Sequence, residues 1–135
     1  MIRKIEHLGI AVKDLDASIK VYENLLGTEC YKVESVASEF VKTAFFKVGE
    51  SKIELLEATD QNSAIAKFLD KRGNGIHHIA FDVDDLEEEI KRLEKLGFVL
   101  INLTPKYGAD NKRIAFLHPK STDGVLVELC EERKD

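Results

Sequence analysis

The chain has 135 residues, 44% of them hydrophobic and 33% charged, with a formal net charge of −5. That is one domain's worth, with enough apolar material for a core, and an acidic balance without a basic stripe points away from nucleic acid. No apolar run approaches a membrane span, Met1 to Glu6 lead straight into a strand without a signal peptide, and Cys30 and Cys130 lack metal-type spacing and read as free thiols; a soluble, cytoplasmic protein is expected.

The segment from Ile2 to Val12 alternates, with Leu8, Ile10 and Val12 on one face and Ile5, His7, Gly9 and Ala11 on the other, which predicts a strand with two unlike faces. His7 then sits among small neighbours, leaving room above the sheet. Asp14 caps a predicted helix whose apolar positions are Leu15, Ile19, Tyr22 and Leu26, and Gly27 stops it. Strands are predicted at 29–36, 40–48 and 52–57, the last two joined by a turn at Gly49-Glu50-Ser51. A connector helix at about 62–73 follows, with Ile65, Phe68 and Leu69 inside. Then comes a strand from Gly75 to Val83, and a helix capped by Asp85, carrying Leu86, Ile90, Leu93 and Leu96 and ended by Gly97. Strands at 99–103, 114–117 and 125–130 complete the pattern. The loop 106–112 and the tail 131–135 are polar and expected to be mobile.

This order is a repeat. His7-Leu8-Gly9-Ile10-Ala11-Val12-Lys13-Asp14-Leu15 returns 71 residues later (7 to 78) as His78-Ile79-Ala80-Phe81-Asp82-Val83-Asp84-Asp85-Leu86. Such a period is too long for a solenoid, so two βαβββ modules, at about 2–57 and 75–130, facing each other across a pseudo-twofold axis within one domain are expected. Each module ends on an apolar strand interrupted by one glutamate: Glu54 in Lys-Ile-Glu-Leu-Leu and Glu128 in Val-Leu-Val-Glu-Leu. A carboxylate buried on such a strand costs several kcal/mol without a partner. The histidine-to-glutamate separations, 47 and 50 residues, nearly agree. A divalent cation held by His7, Glu54, His78 and Glu128 would compensate both carboxylates and leave open positions for substrate. His77 must face away from His78 and is read as structural. His118, at a strand end before Pro119, is given a positioning or substrate-side role.

The paired His-x-x-x-x-Val-x-Asp-Leu openings, Gly75-Ile76-His77-His78-Ile79, Phe116-Leu117-His118-Pro119-Lys120 and Gly124-Val125-Leu126-Val127-Glu128 together resemble the methylmalonyl-CoA epimerase family of the vicinal oxygen chelate (glyoxalase) superfamily, from Ile5 to Leu129. The resemblance implies an α+β fold in which two βαβββ modules form a curved mixed sheet around a central divalent metal, often cobalt, with other first-row divalent ions as alternatives. It also implies a homodimer, the ligands His7, Glu54, His78 and Glu128, and a reaction interconverting (R)- and (S)-methylmalonyl-CoA by proton transfer at carbon 2 through a metal-stabilised enolate. Glu54 is glutamine in some relatives. Thr43 stands where some carry an acid–base glutamate; threonine is no proton base, so the second acid–base group is unidentified. Glu128 is a candidate for the first. Lys112, Arg113 and Lys120 are candidate partners for coenzyme A phosphates. The alternatives are a glyoxalase-like enzyme acting on a glutathione- or other thiol-derived substrate, or a non-catalytic binding member of the superfamily.

Overall fold

The computed structural model of the protein describes residues 1–133. The chain divides into two compact units, one of His7–His77, the other of Met1–Glu6 with the chain from His78 onward. The elements run β1 (Ile2–Ala11), α1 (Leu15–Leu26), β2 (Lys32–Val36), β3 (Val41–Val48), β4 (Ser51–Ala58), α2 (Ala64–Arg72), β5 (Gly75–Val83), α3 (Leu86–Lys95), β6 (Lys106–Tyr107), β7 (Lys112–Leu117) and β8 (Val127–Glu132). Each half therefore follows the β-α-β-β-β order of the repeat. No helix among the described residues is long and apolar enough to cross a membrane.

In the His7–His77 unit the strand order is β2-β3-β4-β1, with β1 parallel to β4 and the hairpins antiparallel. Alternation along β1 serves two cores. Ile10 and Val12 pack with Leu15, Ala44, Phe46 and Leu55 beneath α1, while Ala11 packs with Val41, Leu56, Ile65 and Leu69 beneath α2. The other unit repeats the design as β5-β8-β7-β6, and α3 lays Leu86, Ile90 and Leu93 on Val83, Ala115, Leu117 and Leu129. Asp14 and Asp85 cap their helices through Ala17 N and Glu88 N, and Gly27 takes the left-handed conformation (φ 67°) that stops α1.

A second glutamate in each half extends the repeat. Glu57 Oε2 accepts from Leu15 N at 2.8 Å and Glu131 Oε2 accepts from Leu86 N at 2.8 Å, so each last strand ties down the first turn of its own helix. A carboxylate there satisfies an orphan N–H and complements the positive end of the helix. Glu131 is buried and also meets Arg113 at 3.0 Å, whereas Glu57 is half-buried. Glu131→Ala is expected to lower unfolding stability by about 2 kcal/mol, and Glu57→Ala by less, as read from urea denaturation midpoints.

Five expectations need correction. Strand 29–36 begins at Lys32, because Cys30 N is taken by the Glu23 carboxylate at 3.0 Å. Segment 99–103 is no strand: it makes one isolated bridge, Leu100 to Leu117, and the Asn102 side chain takes the Phe116 N–H that a ladder would use. Instead Lys106–Tyr107 pairs with Ile114 and Arg113, so the loop expected at 106–112 is a built hairpin; Gly108 lies so close to Ile114 that an added Cβ would come within 2.9 Å. Finally, β8 starts at Val127, since Thr122 and Val125 are bonded to each other in a turn, and it runs on through Glu131 and Glu132. The expected mobile tail thus begins inside a strand, and its last two residues lie outside the described ones.

Candidate active site

Each unit holds one of the two histidine–glutamate pairs. In the His7–His77 unit, His7 Nδ1 lies 3.0 Å from Glu54 Oε2, with both side chains buried. In the other, His78 Nε2 lies 3.2 Å from Glu128 Oε1, again with both buried. The register explains the likeness. Glu54 pairs with Gly9 and Glu128 with Ala80, each two residues beyond the histidine. Paired residues share a face, so a small residue beside each glutamate leaves its carboxylate room to lean back toward the imidazole. Two donors bound cis on one divalent ion at about 2.1 Å stand about 3 Å apart, and both pairs have that spacing. Residues of these types so placed fit the hard-to-borderline divalent ions that imidazole and carboxylate select.

Sequence reasoning missed the other flank of each carboxylate. Phe45 pairs with Glu54 and Phe116 with Glu128 across the antiparallel hairpins. Over Phe45 lies Lys32 Nζ, 4.7 Å from the ring centroid, and over Phe116 lies Lys106 Nζ at 5.9 Å. His78 meets the Phe116 ring edge-on at 6.0 Å. A lysine held over a ring keeps positive charge near the carboxylate row at small cost in desolvation. The predicted three-residue turn at Gly49–Ser51 would have set Phe45 opposite Leu55; the turn closes one residue tighter, with Val48 paired to Ser51, and this puts Phe45 opposite Glu54. No signal placed Lys106, because its strand was not anticipated.

The remaining candidates are placed as follows. His77 is half-buried and packs edge-on against Phe68 of α2, 5.2 Å between centroids, away from the His78–Glu128 pair. His118 is exposed, and its Nδ1 accepts from Lys120 N at 3.1 Å, capping a short 3-10 turn that carries the exposed Lys120. Lys112 is buried in β7 opposite Glu132. Arg113 is clamped by Glu87 and by Glu131; the Glu87 bond above all raises the guanidinium pKa beyond its ordinary value. Its fork is engaged in holding α3, which argues against its expected role at a phosphate. Thr43 is fully buried on the face of Phe45 and Glu54, while Lys42 is exposed on the opposite face, as alternation requires.

Residues 6–116 match the model of the glyoxalase/bleomycin resistance protein/dioxygenase superfamily. The ethylmalonyl-CoA/methylmalonyl-CoA epimerase of Cereibacter sphaeroides is 41% identical over 96% of this chain and 98% of its own. Crystallised methylmalonyl-CoA epimerase from Mycobacterium tuberculosis is 40% identical with a TM-score of 0.94, covering 98% of this chain and 89% of its own. The chain belongs to the methylmalonyl-CoA epimerase family. A further structure of such an epimerase, in complex with methylmalonyl-CoA and ammonium, is 36% identical with a TM-score of 0.95 over 99% of this chain and 97% of its own. The α+β glyoxalase fold that the resemblance implied is therefore the fold of this epimerase family member.

Proposed function

We propose that the protein is an isomerase that interconverts (R)- and (S)-methylmalonyl-CoA by moving the proton on carbon 2. The observation that carries this is the buried histidine–glutamate pair repeated at equivalent register in both halves of a chain that matches methylmalonyl-CoA epimerases along nearly its whole length. His7, Glu54, His78 and Glu128 are assigned as the ligands of one divalent ion, with cobalt the best candidate. When bound, that ion supplies Lewis-acid stabilisation of the negative charge that develops on the thioester oxygen.

The protein's own groups do the rest. Carbon 2 lies between a thioester carbonyl and a carboxylate, so its proton is acidified by both, and a positioned carboxylate suffices as base. Glu128 is assigned that role: a carboxylate has two oxygens, and while Oε1 faces His78, the other can exchange a proton with carbon 2. Delivery from the opposite face needs a second group, and Thr43 does not supply it. Lys32 and Lys106, poised over Phe45 and Phe116, favour an anionic acyl group near the carboxylate row. Lys120 is assigned to the coenzyme A phosphates, with His118 setting its turn and Lys112 secondary. The protein is further proposed to act in the cytoplasm as a homodimer.

The direct test is stereochemical: incubation with (S)-methylmalonyl-CoA should yield the (R) form, and failure of metal-replete protein to form it would overturn the proposal. Lys120→Ala should raise KM for methylmalonyl-CoA about fivefold with kcat little changed, an effect that added salt should erode.

A further inference from the structure

We propose that the Thr43 hydroxyl is a substrate-binding donor, which hydrogen-bonds an oxygen of the malonyl head group. This rests on the epimerase reading above and names a contact it lacks. Thr43 is fully buried, and its Oγ1 has no hydrogen-bond partner among the described residues. A buried hydroxyl without a partner is unfavourable, and one that persists calls for an explanation. Valine has nearly the same shape and would avoid the penalty.

The internal repeat shows that the fold does not require the hydroxyl. Phe45 and Phe116 occupy matching places, opposite Glu54 and Glu128. Two residues earlier on each strand stand Thr43, paired with Leu56, and Ile114, paired with Cys130. Ile114 sits in an apolar cluster with Ala80 and Cys130. The same position in the other half is therefore filled by an aliphatic side chain, and a polar atom at 43 has no packing role to perform. Within its own unit Thr43 shares one face of β3 and β4 with Glu54, between the apolar cluster of Val41, Leu56 and Ile65 and the row that carries that carboxylate. A hydroxyl can donate to a carboxylate or a thioester oxygen, and as a neutral group it does so without competing for the proton on carbon 2.

The test compares Thr43→Val and Thr43→Ser with the parent protein in three measurements: thermal midpoint, steady-state epimerisation, and calorimetric binding of methylmalonyl-CoA. Thr43→Val should keep or raise the midpoint while kcat/KM falls about tenfold or more, and Thr43→Ser should keep most of the activity. A rise in KM alone identifies the carboxylate as acceptor; a fall in kcat identifies the thioester oxygen, where charge develops. Either supports the proposal. A valine variant with kcat/KM within twofold of the parent would overturn it, as would one that fails to fold or melts markedly earlier, since the hydroxyl would then be structural. If the parent does not epimerise, the reading beneath this one has failed. The binding measurement then decides the hydroxyl separately: equal affinity in parent and valine variant would reject the contact.

Discussion

Replacing His78 with alanine is expected to remove the proposed divalent ion and the epimerase activity together, whereas His77→Ala keeps both. The two histidines are adjacent in β5, so the comparison isolates side-chain direction from everything else the strand does. His78 is buried with its Nε2 3.2 Å from Glu128, while His77 is half-buried against Phe68. Loss of an outer-shell partner typically costs 10–100-fold in metal affinity or activity; loss of a ligand should exceed about a hundredfold in both. His77→Ala removes one ring contact and should cost about 1 kcal/mol of stability without changing metal content. Elemental analysis of the purified variants, beside their exchange rates, decides the matter. Equal metal loss in both would mean that β5 presents its faces the other way round.

Much of this arrangement was legible because it is written twice. The period of β1 and β5, the caps Asp14 and Asp85 and the stop at Gly27 are local signals, read within a few residues of where they act. The histidines and glutamates became a candidate set only through the repeat, since any one of them alone on a strand is unremarkable. What escaped the sequence was long-range. Glu57 and Glu131 reach helices 42 and 45 residues away, and nothing near either glutamate announces a helix N-terminus. The failed strand at 99–103 has suitable apolar residues, but Asn102 diverts the ladder through its side chain, and pairing passes to the short Lys106–Tyr107 strand. Nothing in the sequence singles out Lys32 or Lys106; only the folded chain sets each over a phenylalanine that flanks a buried carboxylate. The Thr43 hydroxyl was equally silent: its burial and its lack of a partner are properties of the folded chain.

Removal of divalent metal should abolish exchange of the carbon-2 hydrogen of methylmalonyl-CoA with solvent deuterium, and cobalt should restore it, with no nucleotide or flavin added. The proposed ligand set His7, Glu54, His78 and Glu128 offers imidazole nitrogens and carboxylate oxygens, donors suited to a charge-stabilising divalent ion and to proton transfer. Exchange is the sensitive readout because it registers each removal of the proton, even when the same isomer is re-formed. Without the ion, two carboxylates would remain buried beside imidazoles, and the fold would lose the compensation that burial of charge demands. The thermal midpoint should therefore fall on chelation and recover with cobalt, by an amount that grows with free metal concentration. A drop in exchange without any change in midpoint would place the ion away from the buried pairs. Exchange that persists in rigorously metal-free protein would reject the ion's role while leaving the epimerase reading intact. Turnover of a glutathione hemithioacetal with no exchange on methylmalonyl-CoA would instead replace the proposed substrate, because the same buried donors would then be serving a different enolate precursor.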